Sequence, residues 1–394
     1  MGDFFKGLNI GTRILSKAGS TIFSRYVACE EKMGPHTLVP IIIKRGKGPY
    51  LYDYDGNRFV DFYMSAGSLL TGHAHPRITK VFKSWLGRGY AAGYLTASHE
   101  LLARRFFHLY FGNTSWKQDE LMWIFVDSSE AAKNSLFSLL SGNRCRCRAF
   151  FLDGEKGIHR GDNKNRNIEV FSKDFRSLGR SQPRNGDLVF FTFDASLAAH
   201  DVELIFNRLH EKGVFIATDE THFSSYLRFR AHPNLLASVC ARIFGPWSVS
   251  GFSFGAIAVK NGVFAKKREN SDFPPLQETL WFVSSPPLHK IKAATAFTHL
   301  LEAGGGIGGL IEKQEFFFER LNPEYFKQID GMIFVKWGTE PARNFEHYSL
   351  LLLEKGFYFP PVYIAPLALS FAHTEEILNK CAEKLNSIFQ SIDR

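Results

Sequence analysis

The spacing of apolar residues along the chain changes period several times. Residues 41–62 alternate short apolar runs with turn chemistry, and Asp53-Tyr54-Asp55-Gly56-Asn57 supplies residues that tolerate a positive φ between two strands. Residues 78–85 and 100–109 carry apolar side chains at helical spacing, with Thr96 and Ser98 as candidate N-caps of the second helix. Residues 121–126, 149–152, 188–193 and 214–218 are short, nearly continuous apolar runs and predict buried strands. Residues 130–140 and 202–210 predict helices among them. Strands apolar on both faces, alternating with helices, predict an α/β fold whose mostly parallel sheet is covered on both sides.

After Ser285 the pattern becomes α+β. Helices are expected at 288–301 and 311–321, a strand at 331–335, a helix at 348–355, a strand at 368–371 and a last helix from Thr374. Thr374-Glu375-Glu376 reads as an N-cap followed by acids that favour the helix dipole, and Gly304-Gly305-Gly306 as a connector. Three segments are expected: 1–77, whose strands form part of a smaller domain; 78–285, a large α/β domain; and 286–394, the C-terminal α+β domain.

Composition narrows the partners. The chain has 394 residues and a formal charge of +9. Its basic clusters, Arg144/Arg146/Arg148 and Lys266/Lys267/Arg268, are not interleaved with aromatics, so they predict solvated faces and no nucleic-acid site. No apolar run reaches transmembrane length, so no membrane partner is expected. Residues 1–25 are weakly basic and amphipathic and read as a surface helix. The five cysteines show neither disulfide nor zinc spacing, which fits a reduced, cytoplasmic setting. The 39 phenylalanines often stand where Val, Leu or Ile would serve, a compositional bias rather than an aromatic binding box.

Three stretches carry a resemblance. Tyr50-Leu-Tyr-Asp-Tyr-Asp-Gly-Asn-Arg-Phe-Val-Asp61 is followed by Gly72-His73-Ala74-His75-Pro76. Asp219-Glu220 ends an apolar strand, and Gly255-Ala256 opens another. Near the C-terminus stands Ala372-His373-Thr374-Glu375-Glu376. Together these resemble the glutamate-1-semialdehyde 2,1-aminomutase family, class III pyridoxal-phosphate (PLP) aminotransferases of fold type I. The resemblance implies a PLP-transferase fold with a seven-stranded-type, mostly parallel sheet and a smaller α+β domain. It also implies PLP as cofactor, a homodimer and, for a working enzyme, isomerisation of glutamate 1-semialdehyde to 5-aminolevulinate in porphyrin biosynthesis.

The family's site maps onto this chain unevenly. Its ring-nitrogen carboxylate falls on Asp219. Its phosphate loop, Ser-Gly-Thr-Glu-Ala, falls on Asp127-Ser128-Ser129-Glu130-Ala131, leaving Ser128 and Ser129 as candidate phosphate contacts or as an ordinary N-cap. Asp127 sets a negative charge where a phosphate would lie. The ring-stacking tyrosine falls on Lys156 or His159, and a second phosphate contact, a threonine, on Phe282, with Thr279 out of register. The Schiff-base lysine falls on Arg242 or on Pro246, depending on the alignment; from Gly213 to Val259 there is no lysine at all. Arginine stays protonated and is a very poor aldimine nucleophile. Lys260 lies beyond Gly255-Ala256 and so matches a different family position, and a Schiff base relocated to Lys156 is a further alternative. The expectation is an aminomutase-like pseudoenzyme that binds or assembles with a partner not named by the sequence, the alternative being a working isomerase that takes its lysine from elsewhere.

Overall fold

The computed structural model describes residues 43–54, 56–88, 95–112, 114–141, 149–152, 168–171, 183–193, 197–261, 263, 285–339 and 341–392. In chain order these form β1 (Ile43–Lys47), β2 (Tyr50–Asp53), β3 (Arg58–Asp61), α1 (Pro76–Leu86), α2 (Ala97–Tyr110), β4 (Leu121–Val126) and α3 (Ser129–Ser141). Next come β5 (Ala149–Leu152), β6 (Ile168–Phe171), β7 (Leu188–Phe191), α4 (Ala199–Glu211), β8 (Phe215–Glu220), α5 (Phe223–Ala231), β9 (Ala241–Phe244) and β10 (Gly255–Lys260). The last are α6 (Leu288–Ala303), α7 (Gly306–Phe318), β11 (Phe326–Ile329), β12 (Met332–Val335), α8 (Pro341–Glu354), β13 (Phe357–Tyr358) and α9 (Glu375–Ile392). The chain divides into two compact units, one from 77 to 302 and one joining the residues up to 76 with those from 303 onward.

The unit from 77 to 302 is built on a seven-stranded sheet in the order β4-β10-β9-β8-β7-β5-β6. The pairs from β9 through β6 are parallel, whereas β10 runs antiparallel to both β4 and β9. The α/β architecture matches the pattern of apolar runs, and the antiparallel β10 makes the sheet mixed. Strand alternation sorts the side chains onto two faces. On the α3 face, Ile124, Val126, Ala217, Ala241, Ile243, Ile257 and Val259 pack with Ala132, Leu136 and Leu139 of the helix. On the opposite face Phe106 and Tyr110 of α2 meet Trp123, Phe125 and Phe244 at ring separations of 5.6–6.5 Å. The surplus of phenylalanine here fills a core.

The second unit holds a four-stranded sheet in the order β1-β2-β3-β13 and the hairpin β11-β12. The turn between β2 and β3 is closed by Asp53, whose carboxylate accepts the Asn57 N–H and the Asn57 side-chain amide, each at 2.7 Å. After β3, Met64, Ser65 and Ala66 take φ of 45°, 54° and 57°, a left-handed turn that Gly67 continues. Asp61 holds its start, Oδ1 accepting the N–H groups of Tyr63 and Met64 at 2.8 and 2.9 Å. In Gly72-His73-Ala74-His75-Pro76, His73 Nε2 is bonded to Asp61 Oδ2 at 2.7 Å. His373 is buried, and Thr374 starts α9 with its carbonyl accepting the Leu378 N–H at 2.9 Å.

Two expectations for this unit are corrected. Residues 368–371 do not form a strand. Only Leu367 makes a ladder contact, an isolated bridge to Ile333, while Ala368 and Phe371 donate to the carbonyls of Phe62 and Leu70. The helix placed at 348–355 begins two turns earlier, at Pro341, where a missing N–H costs a helix nothing.

Candidate functional site

The parallel strands place their C-terminal ends along one edge of the sheet, where open α/β sheets offer their ligand sites. Val126, Glu220 and Phe244 end there, and antiparallel β10 begins there at Gly255, opposite Val126. Asp219 stands at this edge. Its neighbours in register are Ile243 on β9 and, two residues back, Ala217, so its side chain is on the α3 face.

Both Asp219 oxygens are engaged. Oδ1 accepts the Thr221 hydroxyl at 2.6 Å and the Thr221 N–H at 3.1 Å. Oδ2 meets Lys133 Nζ of α3 at 2.7 Å, and both side chains are more than nine-tenths buried. Burial alone would raise the Asp219 carboxyl pKa; the Lys133 charge, its hydrogen bond and the two Thr221 donors outweigh burial and hold it below the ordinary carboxylate range. The group is therefore an anion whose counter-charge comes from the chain.

The start of α3 lies beside it. Ser128 is its N-cap, with Oγ accepting the Ala131 N–H at 3.1 Å and the carbonyl accepting the Ala132 N–H. Ser129 is the first helical residue. A Cβ on Gly255 would come within 2.4 Å of the Ser128 carbonyl oxygen, so β10 and this turn pack backbone to backbone. Asp127 does not confront the helix start with a bare charge, as its sequence position suggests. Its carboxylate is paired with Lys290 of α6, which also donates to the Ser253 carbonyl at 3.0 Å.

Arg242 and Pro246, the two residues left open for the lysine position, fall in different places. Arg242 pairs in register with Thr218, and therefore points to the face away from Asp219. It is 1 % exposed. Nε and Nη2 grip the two Glu220 oxygens at 2.7 and 2.6 Å, Nη1 donates to the Tyr110 carbonyl at 3.1 Å, and the guanidinium lies 4.5 Å from the Phe111 ring centre. Thr218 and Trp247 complete the network through the Glu220 side chain and carbonyl. Pro246 follows β9 at the C-terminal edge, after Gly245, whose missing Cβ would stand 2.3 Å from the Thr221 carbonyl oxygen. Lys260 ends β10 at the opposite edge, five residues or about 17 Å of strand from Gly255. Its ammonium donates to the Ala237 carbonyl and lies over Trp116.

Lys156, His159, Thr279, Phe282, the two basic clusters, Cys145, Cys147 and residues 1–25 lie outside the described residues. The sequence reading missed Lys133 and Lys290. For Lys133 a signal existed: a lysine directly after Ala132 and three residues before Leu136, within the inward stripe of an amphipathic helix.

Among known proteins, the Aminotransferase class-III family model matches residues 32–113. A glutamate-1-semialdehyde 2,1-aminomutase from Heliobacterium modesticaldum is 42% identical over 65 residues, a match that covers 16% of this chain and 15% of that enzyme. The FumI protein of Sphingopyxis sp. MTA144, solved in its PLP internal aldimine form, superposes with a TM-score of 0.69 at 17% identity and covers 91% of each chain. A β-phenylalanine aminotransferase from Variovorax paradoxus superposes with a TM-score of 0.71 at 18% identity and covers 96% of each chain. The fold is that of the PLP-dependent transaminases, fold type I.

Proposed function

We propose that this protein is aminomutase-like in descent and does not carry out lysine-dependent aminotransfer, acting instead through binding or assembly as a homodimer. The observation that carries this reading is the turn from β9 to β10. Every residue from Gly213 to Val259 is described, none is lysine, and the edge that would present one carries Gly245 and Pro246. A PLP enzyme of this kind needs an amine there to hold the cofactor and to move protons. Arg242 cannot turn to that duty, because its guanidinium is tied to Glu220 and Tyr110 on the other face. The residues present also do not fit the cofactor's other needs. Both oxygens of Asp219 already have donors, one of them the charged Lys133, while the Ser128 oxygen accepts from its own helix and keeps only its O–H to offer.

The test is spectroscopic. Purified protein, with and without added PLP, is expected to remain colourless and to show no borohydride-sensitive band. A yellow species bleached by borohydride, with 5-aminolevulinate formed from glutamate 1-semialdehyde, would establish the alternative, a working isomerase. Sedimentation at micromolar concentration tests the dimer, and a monomer there would remove that part of the proposal.

A further inference from the structure

Lys133 is the cation at Asp219. It reaches across from α3 to β8, is buried, and places its ammonium 2.7 Å from Oδ2 while Thr221 covers Oδ1. Its other acidic neighbour, Glu130 at 3.7 Å, is largely exposed and one turn back on the same helix. A charged ammonium in such a place needs a carboxylate, and a buried carboxylate needs a cation.

We propose that Lys133 is a built-in counter-ion, occupying at Asp219 the position that a protonated ring nitrogen would require, so that the chain completes this pocket by itself. The inference rests on the functional reading above and deepens it, since it says what replaced the cofactor. A second cation at Oδ2 would be repelled by the Lys133 ammonium in a region shielded from water. An incoming pyridinium must therefore either bind against that repulsion or displace Lys133 from its buried carboxylate. Nor does Lys133 offer itself as a relocated Schiff-base amine. Bound to a carboxylate it is an ammonium without a free electron pair. In PLP, moreover, the aldehyde carbon lies across the ring from the nitrogen that Asp219 would hold.

The experiment uses the full chain. Lys133→Ala should lower the thermal midpoint by on the order of 10 °C. Methylammonium chloride should restore part of that loss, whereas sodium chloride at the same concentration should not. Asp219→Asn should also be destabilised, because it removes the buried anion that the ammonium meets at 2.7 Å, and the double variant Lys133→Met/Asp219→Asn should melt above it. That comparison remains available if Lys133→Ala fails to fold. Titration with pyridoxamine 5′-phosphate, which cannot form an imine with a lysine, should show at least tenfold tighter binding to Lys133→Ala than to the parent. Equal melting of Lys133→Ala and the parent, or a double variant no more stable than Asp219→Asn, would overturn the counter-ion while a colourless parent left the functional reading standing. Equal pyridoxamine phosphate affinity in the two proteins would also overturn it. A borohydride-trapped adduct mapped to Lys133 in the parent would overturn both.

Discussion

Restoring a lysine at Arg242 is the direct experiment suggested by sequence alignment, and the structure predicts that it will fail in a particular way. Arg242 makes three hydrogen bonds, two to the Glu220 carboxylate and one to the Tyr110 carbonyl. A lysine ammonium on a shorter, unforked side chain keeps one of these at best. Bonds to charged groups contribute about 1.5–3 kcal/mol each, so losing two costs about 3–6 kcal/mol, with Glu220 left under-satisfied in a fully buried site. For a unit of this size that corresponds to a drop of roughly 6–24 °C in thermal midpoint. No chromophore should appear with PLP, since the new ammonium would point into the aromatic face lined by Phe111 and Phe244 and away from Asp219. Circular-dichroism melting and absorbance before and after borohydride measure the two halves. An Arg242→Lys variant that melts with the parent, or that turns yellow with PLP, would refute the assignment of faces on which the argument depends.

Two further outcomes follow from groups outside that network. Ser128→Ala should lower stability by about 1 kcal/mol in urea unfolding and Ser128→Gly by only a few tenths, because the hydroxyl caps α3; an equal loss for both would point to a role other than capping. His373 is neutral when folded: burial lowers its pKa to about 4, with Asp61 offsetting only part of that, and its Nδ1 accepts the Ser370 N–H. The unfolded chain takes up that proton near pH 6.5, so this contribution is complete above pH 6.5 and declines as the pH falls toward 4, by about 3 kcal/mol in all. His373→Gln should flatten the stability profile between pH 6.5 and 4, and a slope equal to the parent's would exclude His373 as its source.

Sequence alone carried four of the seven strands of the larger unit, β4, β5, β7 and β8, because runs such as Leu188–Phe191 are apolar on both faces, a pattern that needs a covered sheet; β6 and β9 were not expected, and β10 was marked only by the resemblance at Gly255-Ala256. It also placed Asp219 and Ser128, which sit at ends of elements where the period breaks. It could not place 368–371, whose alternation looks like a strand but whose hydrogen bonds go to the carbonyls of Phe62 and Leu70. Nor could it separate Arg242 from the site. That required the β8–β9 register, in which Asp219 stands opposite Ile243, and a shift of one residue would have reversed the answer. Lys133 stayed hidden for a related reason: its partner is 86 positions away in the chain, and only the sheet order brings α3 over β8.

The three ion pairs at and behind this strand edge also have a kinetic consequence. Lys133, Lys290 and Arg242 meet Asp219, Asp127 and Glu220, three positive charges against three negative ones, each closed on its neighbour. Fixed charges left unbalanced in a cleft would steer an oppositely charged ligand and raise its encounter rate by orders of magnitude. Here the pairs cancel, so a phosphate ester would gain no guidance from them and would arrive by ordinary diffusive encounter. Any salt dependence of its association rate would then come from charges other than these three pairs, such as the excess that gives the chain its net +9.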